Sequence, residues 1–276
     1  MTAIACDLDR TLIGEDLSLR PRTRAALVVA RARGIRVIVV TGRMYQSVRP
    51  YLTGPEPVVC YQGAVVADPA TGEFLRHVPI PLALAREAIS LIQDAGHGLN
   101  CYVDDDLYVA HVTPEAEQYA RFQNIELHET GPLLDWLDRP PTKLVVVSEE
   151  PALDSLGVET RAHFGRRLFI AKSLPIFLEF AHPDVSKGTG LQFVADRIGI
   201  TPAQTVAFGD GENDLELLEW AGYAVAVENG DPTLKERADL IAPSVEDEGV
   251  AQVIEAFLAL STGDGSRRAE PGSADT

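Results

Sequence analysis

The stretch TAIACDLDRT, residues 2–11, sets two acids directly behind a short apolar run. Such a run predicts a buried β-strand, and ligands of open α/β sheets bind at the carboxyl ends of the strands. Asp7 and Asp9 are two residues apart, so alternation along an extended chain points both side chains the same way. One acid could attack a substrate while the other transfers a proton. A lone pair of acids is more often a solvated loop.

Two further segments carry polar residues at predicted strand and helix ends. Residues 37–43, VIVVTGR, place Thr41 behind a β-branched run, and Gly42 lets backbone N–H groups approach a ligand. Lys187 falls in the first turn of a predicted helix, where the helix dipole favours acids. That misfit suggests that Lys187 has a function. Taken alone, however, residues 37–43 are explained by an ordinary strand-to-helix turn, and Lys187 by a lysine that points to solvent.

The most specific segment is GDGEND, residues 209–214, which joins a predicted buried strand to a helix. Asp210 and Asp214 bracket a sharp turn that glycine permits, so both carboxylates can face one point. Hard oxygen ligands of this kind suit Mg²⁺. Capping of the helix by Asn213 or Asp214 explains one of these residues but not the whole hexapeptide.

Short apolar runs alternate with helical patterns at both ends of the chain, which predicts an α/β, doubly wound parallel-sheet (Rossmann-like) core. We assign residues 1–81 and 185–261 to this discontinuous core domain. Residues 82–184, the inserted segment, have an α+β pattern and are predicted to form a separate inserted domain. The polar, Gly- and Ser-rich residues 262–276 are predicted to be a disordered tail.

Charge narrows the range of partners. The 276 residues include 24 Lys and Arg against 41 Asp and Glu, a formal net charge of −17. Nucleic acids and anionic membranes are attracted by basic surfaces, so the chain is expected to bind neither. A small anionic substrate remains compatible, because a bound metal and one lysine reverse the field locally.

Cysteine usage and the N-terminus favour a cytoplasmic location. The three cysteines, Cys6, Cys60 and Cys101, form no CxxC pair, and an odd number without such spacing fits a reducing compartment. Charged residues appear within the first ten positions, so no signal-peptide pattern is expected. No uncharged apolar run approaches the ~18 residues of a membrane span.

Other motifs are absent from the sequence. No GxxxxGK[ST], HExxH or GxSxG occurs, and position 214 is Asp where a dinucleotide fingerprint needs Gly. The acids at 104–106 lie between two predicted strands, and we expect them to form a solvated turn.

Together the four segments resemble the motifs of the haloacid dehalogenase (HAD) superfamily of phosphotransferases. DLDRT (7–11) is similar to the first motif, VIVVTGR (37–43) to the second, Lys187 to the third and GDGEND (209–214) to the fourth. The inserted segment lies between the second and third motifs, as in the Cof-type subgroup with its type II (IIB) cap. The resemblance covers almost all of the chain.

The resemblance implies a role for each matching residue. Asp7 is expected to be the nucleophile that forms an aspartyl-phosphate, and Asp9 the general acid and base. The residues expected to hold the phosphoryl oxygens are Thr41, Gly42, Lys187 and Asn213. The residues expected to hold Mg²⁺ are Asp7, Asp9 (through its main-chain carbonyl), Asp210 and Asp214.

Three positions depart from the subgroup's pattern. Arg10 stands where Gly is usual, Gln62 where Asn is usual, and Glu228 where Gly is common. None of these changes removes a catalytic group. Arg10 and Arg43 are candidates for the substrate entrance.

The resemblance therefore implies a Mg²⁺-dependent phosphatase acting on a small phosphorylated metabolite. A sugar phosphate is the first expectation, and a phosphorylated cofactor such as pyridoxal phosphate the second. Two alternatives stay open: a phosphomutase of the same superfamily, and a catalytically inactive binding or regulatory protein on the same fold. The sequence leaves a monomer and a homodimer equally open.

Overall fold

The computed structural model describes residues 1–263. The strands are β1 Ala3–Cys6, β2 Arg36–Val39, β3 Val58–Cys60, β4 Val65–Ala67, β5 Phe74–His77, β6 Asn100–Val103, β7 Asp106–Val109, β8 Leu127–Glu129, β9 Lys143–Val147, β10 Phe169–Leu174, β11 Phe177–Ala181, β12 Thr205–Gly209, β13 Tyr223–Val227 and β14 Leu240–Ala242. The helices are α1 Pro21–Ala32, α2 Tyr45–Val48, α3 Leu82–Asp94, α4 Pro114–Gln123, α5 Leu133–Trp136, α6 Glu150–Phe164, α7 Lys187–Ile198, α8 Leu215–Trp220, α9 Pro232–Lys235 and α10 Gly249–Gly263.

Helix α10 ends at Gly263, so it includes the first two residues of the predicted tail at 262–276. Residues 264–276 lie outside the described part of the chain.

Five parallel strands form the first sheet, in the order β14-β13-β12-β1-β2. In its register Cys6 pairs with Phe208 on one side and with Val39 on the other. The residues that follow these three strands therefore meet at one edge of the sheet, as parallel strands require. The predicted parallel α/β core is confirmed.

The two faces of this sheet pack into different apolar clusters. One cluster includes residues of β1, α1 and α10, namely Ile4, Cys6, Leu27 and Ile254. The other includes residues of β1, α7 and α8, namely Ala3, Ala5, Leu191 and Leu217. Alternate residues of β1 thus point to opposite faces. Because helices cover both faces, the strands are near-continuously apolar, as the sequence indicated.

The inserted segment contributes a six-stranded sheet of its own, in the order β10-β11-β9-β6-β7-β8. All its pairs are antiparallel except β7 with β8. Helices α3, α5 and α6 pack on one face with residues that include Ile89, Leu133, Leu153 and Phe180. On the other face, residues such as Tyr102 and Val145 join the cluster that contains β1. The sequence predicted the α+β pattern but missed β8.

A small antiparallel sheet, β3-β4-β5, connects the two larger sheets in sequence. The hairpin predicted at 63–78 is present as β4 and β5. Strand β3 is joined to the parallel sheet by a bridge between Val40 and Val59.

The described residues can be searched for membrane-spanning helices and disulfide bonds. Within 1–263, no helix is long and apolar enough to cross a membrane. The cysteines Cys6, Cys60 and Cys101 are free and buried.

Candidate active site

Three buried acids meet at the carboxyl edge of the parallel sheet. Asp7 follows β1 directly, Asp210 follows β12, and Asp214 closes the turn after β12. One carboxylate oxygen from each lies within 4.8 Å of the others. The backbone explains the convergence, because the Asp7 N–H donates to the Phe208 carbonyl at 3.0 Å and ties the two strand ends together.

Lys187 lies between two of these acids. It is the first residue of α7, whose N-terminus is closed by a capping box of Ser186 and Thr189. The Lys187 Nζ donates to Asp7 Oδ1 at 2.6 Å and to Asp214 Oδ1 at 2.5 Å. Its side chain is 1% exposed. The misfit of a lysine at a helix N-terminus is thus explained by two buried ion pairs.

Burial comes first, and the excess of acids over this lysine second, in raising the pKa values of Asp7 and Asp210. Burial raises the pKa of Asp7 well above its usual range, and Asp214 and Asp210 raise it further, although Lys187 opposes them. Burial and the charge of Asp214 raise the pKa of Asp210 to about 7. Burial disfavours the charged form of Lys187, but Asp214 and Asp7 outweigh it and raise its pKa. A bound metal cation at the acids would relieve this excess of negative charge.

The donor set fits Mg²⁺, which prefers one or two carboxylates and fills its other positions with water or phosphate oxygens. Asp214 accepts the most hydrogen bonds of the three acids, because its Oδ2 accepts the backbone N–H groups of Asp210 and Gly211 at 3.0 Å each. Its Oδ1 is bound by Lys187. Asp7 and Asp210 are therefore the carboxylates best placed for a metal, and Asp214 shapes the loop and holds the lysine.

Asp9 is bound by a buried arginine. Arg43 donates from Nε to Asp9 Oδ2 at 2.8 Å and from Nη2 to Asp9 Oδ1 at 2.6 Å. Arg43 is 2% exposed and also donates to the Ser47 hydroxyl. A bidentate pair of this kind fixes orientation as well as charge. Arg43, expected at the substrate entrance, is buried against an acid of the first motif.

The other predicted anion-binding residues surround the acids at different depths. Thr41 is fully buried, and its Oγ1 accepts the Arg43 N–H at 3.1 Å, within its own loop. The Asn213 Nδ2 donates to Gln62 Oε1 at 3.1 Å.

A cavity of about 30 Å³ lies above this arrangement. Six of its lining residues belong to the first, second and fourth motifs, namely Asp7, Asp9, Gly42, Arg43, Asp210 and Asn213. The inserted segment supplies the roof, with Phe122, Gln123, Ser173, Leu174, Phe177 and Glu179. This space admits water but is too small for a phosphorylated metabolite. The inserted segment therefore covers the acids closely.

Arg10 lines a different opening, of about 240 Å³, that also borders Asp210. Its Nη2 donates to the Asn229 carbonyl at 2.8 Å, and its Nη1 lies 3.5 Å from Asp210 Oδ2. The φ of Arg10 is 59°, a conformation that favours Gly, the residue usual in the subgroup. Glu228 is exposed.

Sequence reasoning missed a buried ion pair in the roof. Lys143 Nζ lies 3.3 Å from Glu179 Oε1, and the two side chains are 1% and 4% exposed. Lys143 also donates to the Gly42 carbonyl at 2.8 Å, which links the inserted segment to the second motif. The signal in the sequence was the lone acid within the apolar run FLEFA, residues 177–181. A charge inside a buried strand needs a partner.

The acidic turn at 104–106 was wrongly predicted to be fully solvated. Asp105 is 8% exposed, and its carboxylate accepts the backbone N–H groups of Tyr45 and Gln46 at 3.0 Å each. It also accepts the Tyr61 hydroxyl at 2.8 Å. A turn of the inserted segment thus binds the start of helix α2 in the core.

Asp105 yields a prediction about pH. Burial raises its pKa from 3.8 to about 6, against the lowering effect of its hydrogen bonds. A carboxyl whose pKa is higher in the folded state gives its full stabilisation at low pH and loses it as the pH rises through about 6. From about pH 4 to about pH 7, the unfolding free energy of the wild type minus that of Asp105→Asn should fall by roughly 2–3 kcal/mol. Denaturant melts at several pH values measure this difference, and a flat difference would contradict the assignment.

Comparison with known proteins agrees with this geometry. Residues 4–254 match the family described as haloacid dehalogenase-like hydrolase, and the chain belongs to that family. It is 30% identical, over 93% of its length and 97% of the relative's, to 5-amino-6-(5-phospho-D-ribitylamino)uracil phosphatase YitU of Bacillus subtilis. It is 29% identical to pyridoxal phosphate phosphatase YbhA of Escherichia coli, over 92% of this chain and 98% of the relative.

A solved structure from Thermotoga maritima is similar over 92% of this chain and 96% of its own, with a TM-score of 0.78 and 30% identity. The family and the Cof-type subgroup predicted from the four motifs are thereby confirmed. The chain is a phosphoric monoester hydrolase.

Proposed function

We propose that this chain is a Mg²⁺-dependent phosphatase that hydrolyses a small phosphorylated metabolite through an aspartyl-phosphate on Asp7. The observation that carries the proposal is the cluster of Asp7, Asp210 and Asp214 around Lys187 at the sheet edge. A nucleophile, a cation and metal-binding oxygens then lie within one buried site. Phosphoryl transfer needs this combination, because catalysis rests on positioning and on neutralising charge.

In the first step, an Asp7 oxygen attacks phosphorus, the bond to the leaving alcohol breaks, and the phosphoryl group becomes bound to Asp7. In the second, water attacks the same phosphorus and releases phosphate and the free carboxylate. Lys187, with Thr41, Gly42 and Asn213, is proposed to hold the phosphoryl oxygens, and Lys187 keeps Asp7 oriented.

Asp9 is proposed to give a proton to the leaving oxygen and to take one from the attacking water. Arg43 holds both Asp9 oxygens and directs the carboxyl at the cavity that both residues line. A guanidinium offers no acceptor, so the transferable proton must lie on a lone pair of Asp9 that Arg43 does not occupy.

Asp7 and Asp210 would hold the metal, together with the main-chain carbonyl of Asp9. When bound, Mg²⁺ supplies positive charge against the phosphoryl oxygens and the two carboxylates. Without it, the acids repel a phosphate dianion, since Lys187 and the partly exposed Arg10 are the only cations paired with Asp7, Asp210 and Asp214 among the described residues.

The metal requirement is directly testable. EDTA should abolish phosphate release and added Mg²⁺ should restore it, while Asp210→Asn should raise the Mg²⁺ concentration needed for half-maximal activity by at least ~10-fold, as loss of a metal contact typically does. Activity is followed with p-nitrophenyl phosphate over a Mg²⁺ titration. Exposed Asp138→Asn is the matched control. Full activity in metal-free buffer would contradict the proposal.

We further propose that the inserted segment is a separate domain that caps the site. Its roof leaves only about 30 Å³, so a metabolite enters after the segment moves away. Opening breaks contacts such as the Ser47 hydroxyl on the Gln123 carbonyl and Lys143 on Gly42. Reclosure excludes water from the transfer step.

The two named relatives act on different phosphate esters, so the substrate is proposed only as a class: a sugar phosphate or a phosphorylated cofactor. The test is a screen of sugar phosphates, pyridoxal 5′-phosphate and 5-amino-6-(5-phospho-D-ribitylamino)uracil for released phosphate, with and without Mg²⁺. Release from a subset and only with Mg²⁺ supports the proposal. Isomerisation of a sugar phosphate without release would indicate a phosphomutase, and no turnover of any ester would indicate a binding protein.

A further inference from the structure

The turn from Tyr61 to Gly63 has an unusual backbone. The φ angles of Tyr61, Gln62 and Gly63 are 52°, 57° and 100°, and a positive φ is rare for a bulky aromatic residue. Such a conformation costs free energy and persists only where the surroundings enforce it. Tyr61 and Gln62 are both buried.

On the core side, this turn holds two of the catalytic loops. The Tyr61 N–H donates to the Arg43 carbonyl at 2.9 Å, and the Gln62 N–H donates to the Thr41 carbonyl at 3.1 Å. The Gln62 Oε1 accepts from Asn213 Nδ2 at 3.1 Å. One turn therefore fixes the second-motif loop and a side chain of the fourth motif.

On the other side, the same two residues bind the inserted segment. The Gln62 Nε2 donates to Glu179 Oε2 at 2.9 Å, and the Tyr61 hydroxyl donates to Asp105 Oδ1 at 2.8 Å. Glu179 is itself held by the Ser173 hydroxyl at 2.6 Å and by Lys143. Both oxygens of Glu179 are thus occupied within the protein.

The residues around the turn are closely packed. A Cβ added at Gly42 would clash with Gln62 Nε2, and a Cβ added at Gly63 would clash with the Ser186 carbonyl oxygen. Ser186 is the N-cap of the helix that begins with Lys187. A shift of the turn is therefore transmitted to the loops and to this helix end.

We propose that Gln62 is a positioning residue that couples the seating of the inserted segment to the assembly of the phosphate-binding groups. With Glu179 seated, the Gln62 amide is fixed at both ends, and Asn213 and the Thr41 loop are held in place. When the inserted segment leaves, Gln62 loses its anchor and the turn can relax. The inference rests on the proposed phosphatase function, which it deepens by naming the residue that links closure to catalysis.

The test exchanges the amide at position 62 and the carboxylate at position 179. Gln62→Glu places two carboxylates face to face and opposes closure, and Glu179→Gln deprives Lys143 of its charge partner. In the double variant, an amide at 179 again donates to an acceptor at 62, and one negative charge remains. Gln62→Asn is a neutral, shorter variant that cannot span both partners. All variants are compared by thermal melting to establish that each is folded.

Two readouts are followed at neutral pH. The first is kcat/KM for p-nitrophenyl phosphate with Mg²⁺. The second needs no activity: hydrogen exchange of the Tyr45 and Gln46 amides, whose acceptor is Asp105 of the inserted segment, reports how often that segment leaves the core.

We expect Gln62→Glu to lower kcat/KM and to accelerate this exchange by at least ~10-fold each, because like charges directly opposed are strongly unfavourable. Gln62→Asn should change both in the same direction by a smaller factor, and the double variant should recover both to within ~3-fold of wild type, as reciprocal partners do. The coupling would be overturned if Gln62→Glu and Gln62→Asn both showed wild-type kcat/KM and wild-type exchange rates. It would also be overturned if the double variant were as impaired as the worse single variant. An inactive wild type whose exchange still follows this pattern would refute the phosphatase proposal alone.

Discussion

Asp7→Asn should abolish turnover while the protein keeps its fold. The amide is nearly isosteric with the carboxylate, and its oxygen can still accept from Lys187 Nζ, which donates to Asp7 at 2.6 Å. An amide cannot attack phosphorus, so we expect a loss of at least ~10³-fold in kcat, comparable to removal of other covalent nucleophiles. Phosphate release with p-nitrophenyl phosphate measures this loss, and the melting temperature shows whether the fold is kept.

The control is Asp138→Asn, which makes the same change at an exposed site and should leave activity unchanged. Mass spectrometry of the Asp7→Asn variant must show that the introduced amide has not deamidated back to the acid. Near wild-type activity in verified Asp7→Asn would rule out the aspartyl-phosphate mechanism.

Lys187→Met should impair both stability and activity. The change leaves Asp7 and Asp214 buried without the cation that pairs with both of them. Loss of one partner from a buried charge pair costs about 3–5 kcal/mol in unfolding free energy. The loss of a donor to the transferring phosphoryl group should lower kcat by ~10²–10³-fold. Denaturant unfolding and Mg²⁺-dependent phosphate release measure the two effects.

Lys235→Met is the matched control, because Lys235 makes a surface hydrogen bond to the Glu228 carbonyl. The unfolding free energy of this variant should fall by less than about 1 kcal/mol, and its activity should be unchanged. Mg²⁺ should partly restore the stability of Lys187→Met, since a metal supplies positive charge to the same acids. Equal stabilities of the two lysine variants would contradict the buried-pair account.

The parts of the fold that the sequence predicted are those set by local pattern. Apolar runs that end in acids marked β1 and β12, while the meeting of Asp7 with Asp210 was expected only from the resemblance to the HAD motifs; the parallel pairing of the two strands now accounts for it. Lys187 was marked by its conflict with the helix dipole. In each case the signal lies within a few residues of the feature it predicts.

The roof of the site could not be predicted in this way, because its contacts join distant residues. Lys143 meets Glu179 only once β9 pairs with β11 in a particular register. Asp105 was assigned to solvent because acids in turns usually are, and only the packing of the inserted segment on α2 buries it. The left-handed backbone of Tyr61 and Gln62 also has no sequence signal, since neither is a residue that favours it.

The same limit applies to Asp9. Spacing placed it beside Asp7, but the bidentate pair with Arg43 depends on how two loops approach each other at the sheet edge. Arg43, a candidate for the substrate entrance, is therefore also the residue that orients the proposed acid.

The central claim is that Asp7 carries the phosphoryl group during turnover. Its most direct test is to quench the enzyme in acid during hydrolysis of p-nitrophenyl phosphate with Mg²⁺, reduce it with borohydride, and sequence its peptides by mass spectrometry. Borohydride converts an aspartyl-phosphate to homoserine, so the account predicts homoserine at position 7, and none when the substrate is omitted. Turnover in which Asp7 stays unmodified and the phosphoryl group is found on another residue would contradict it.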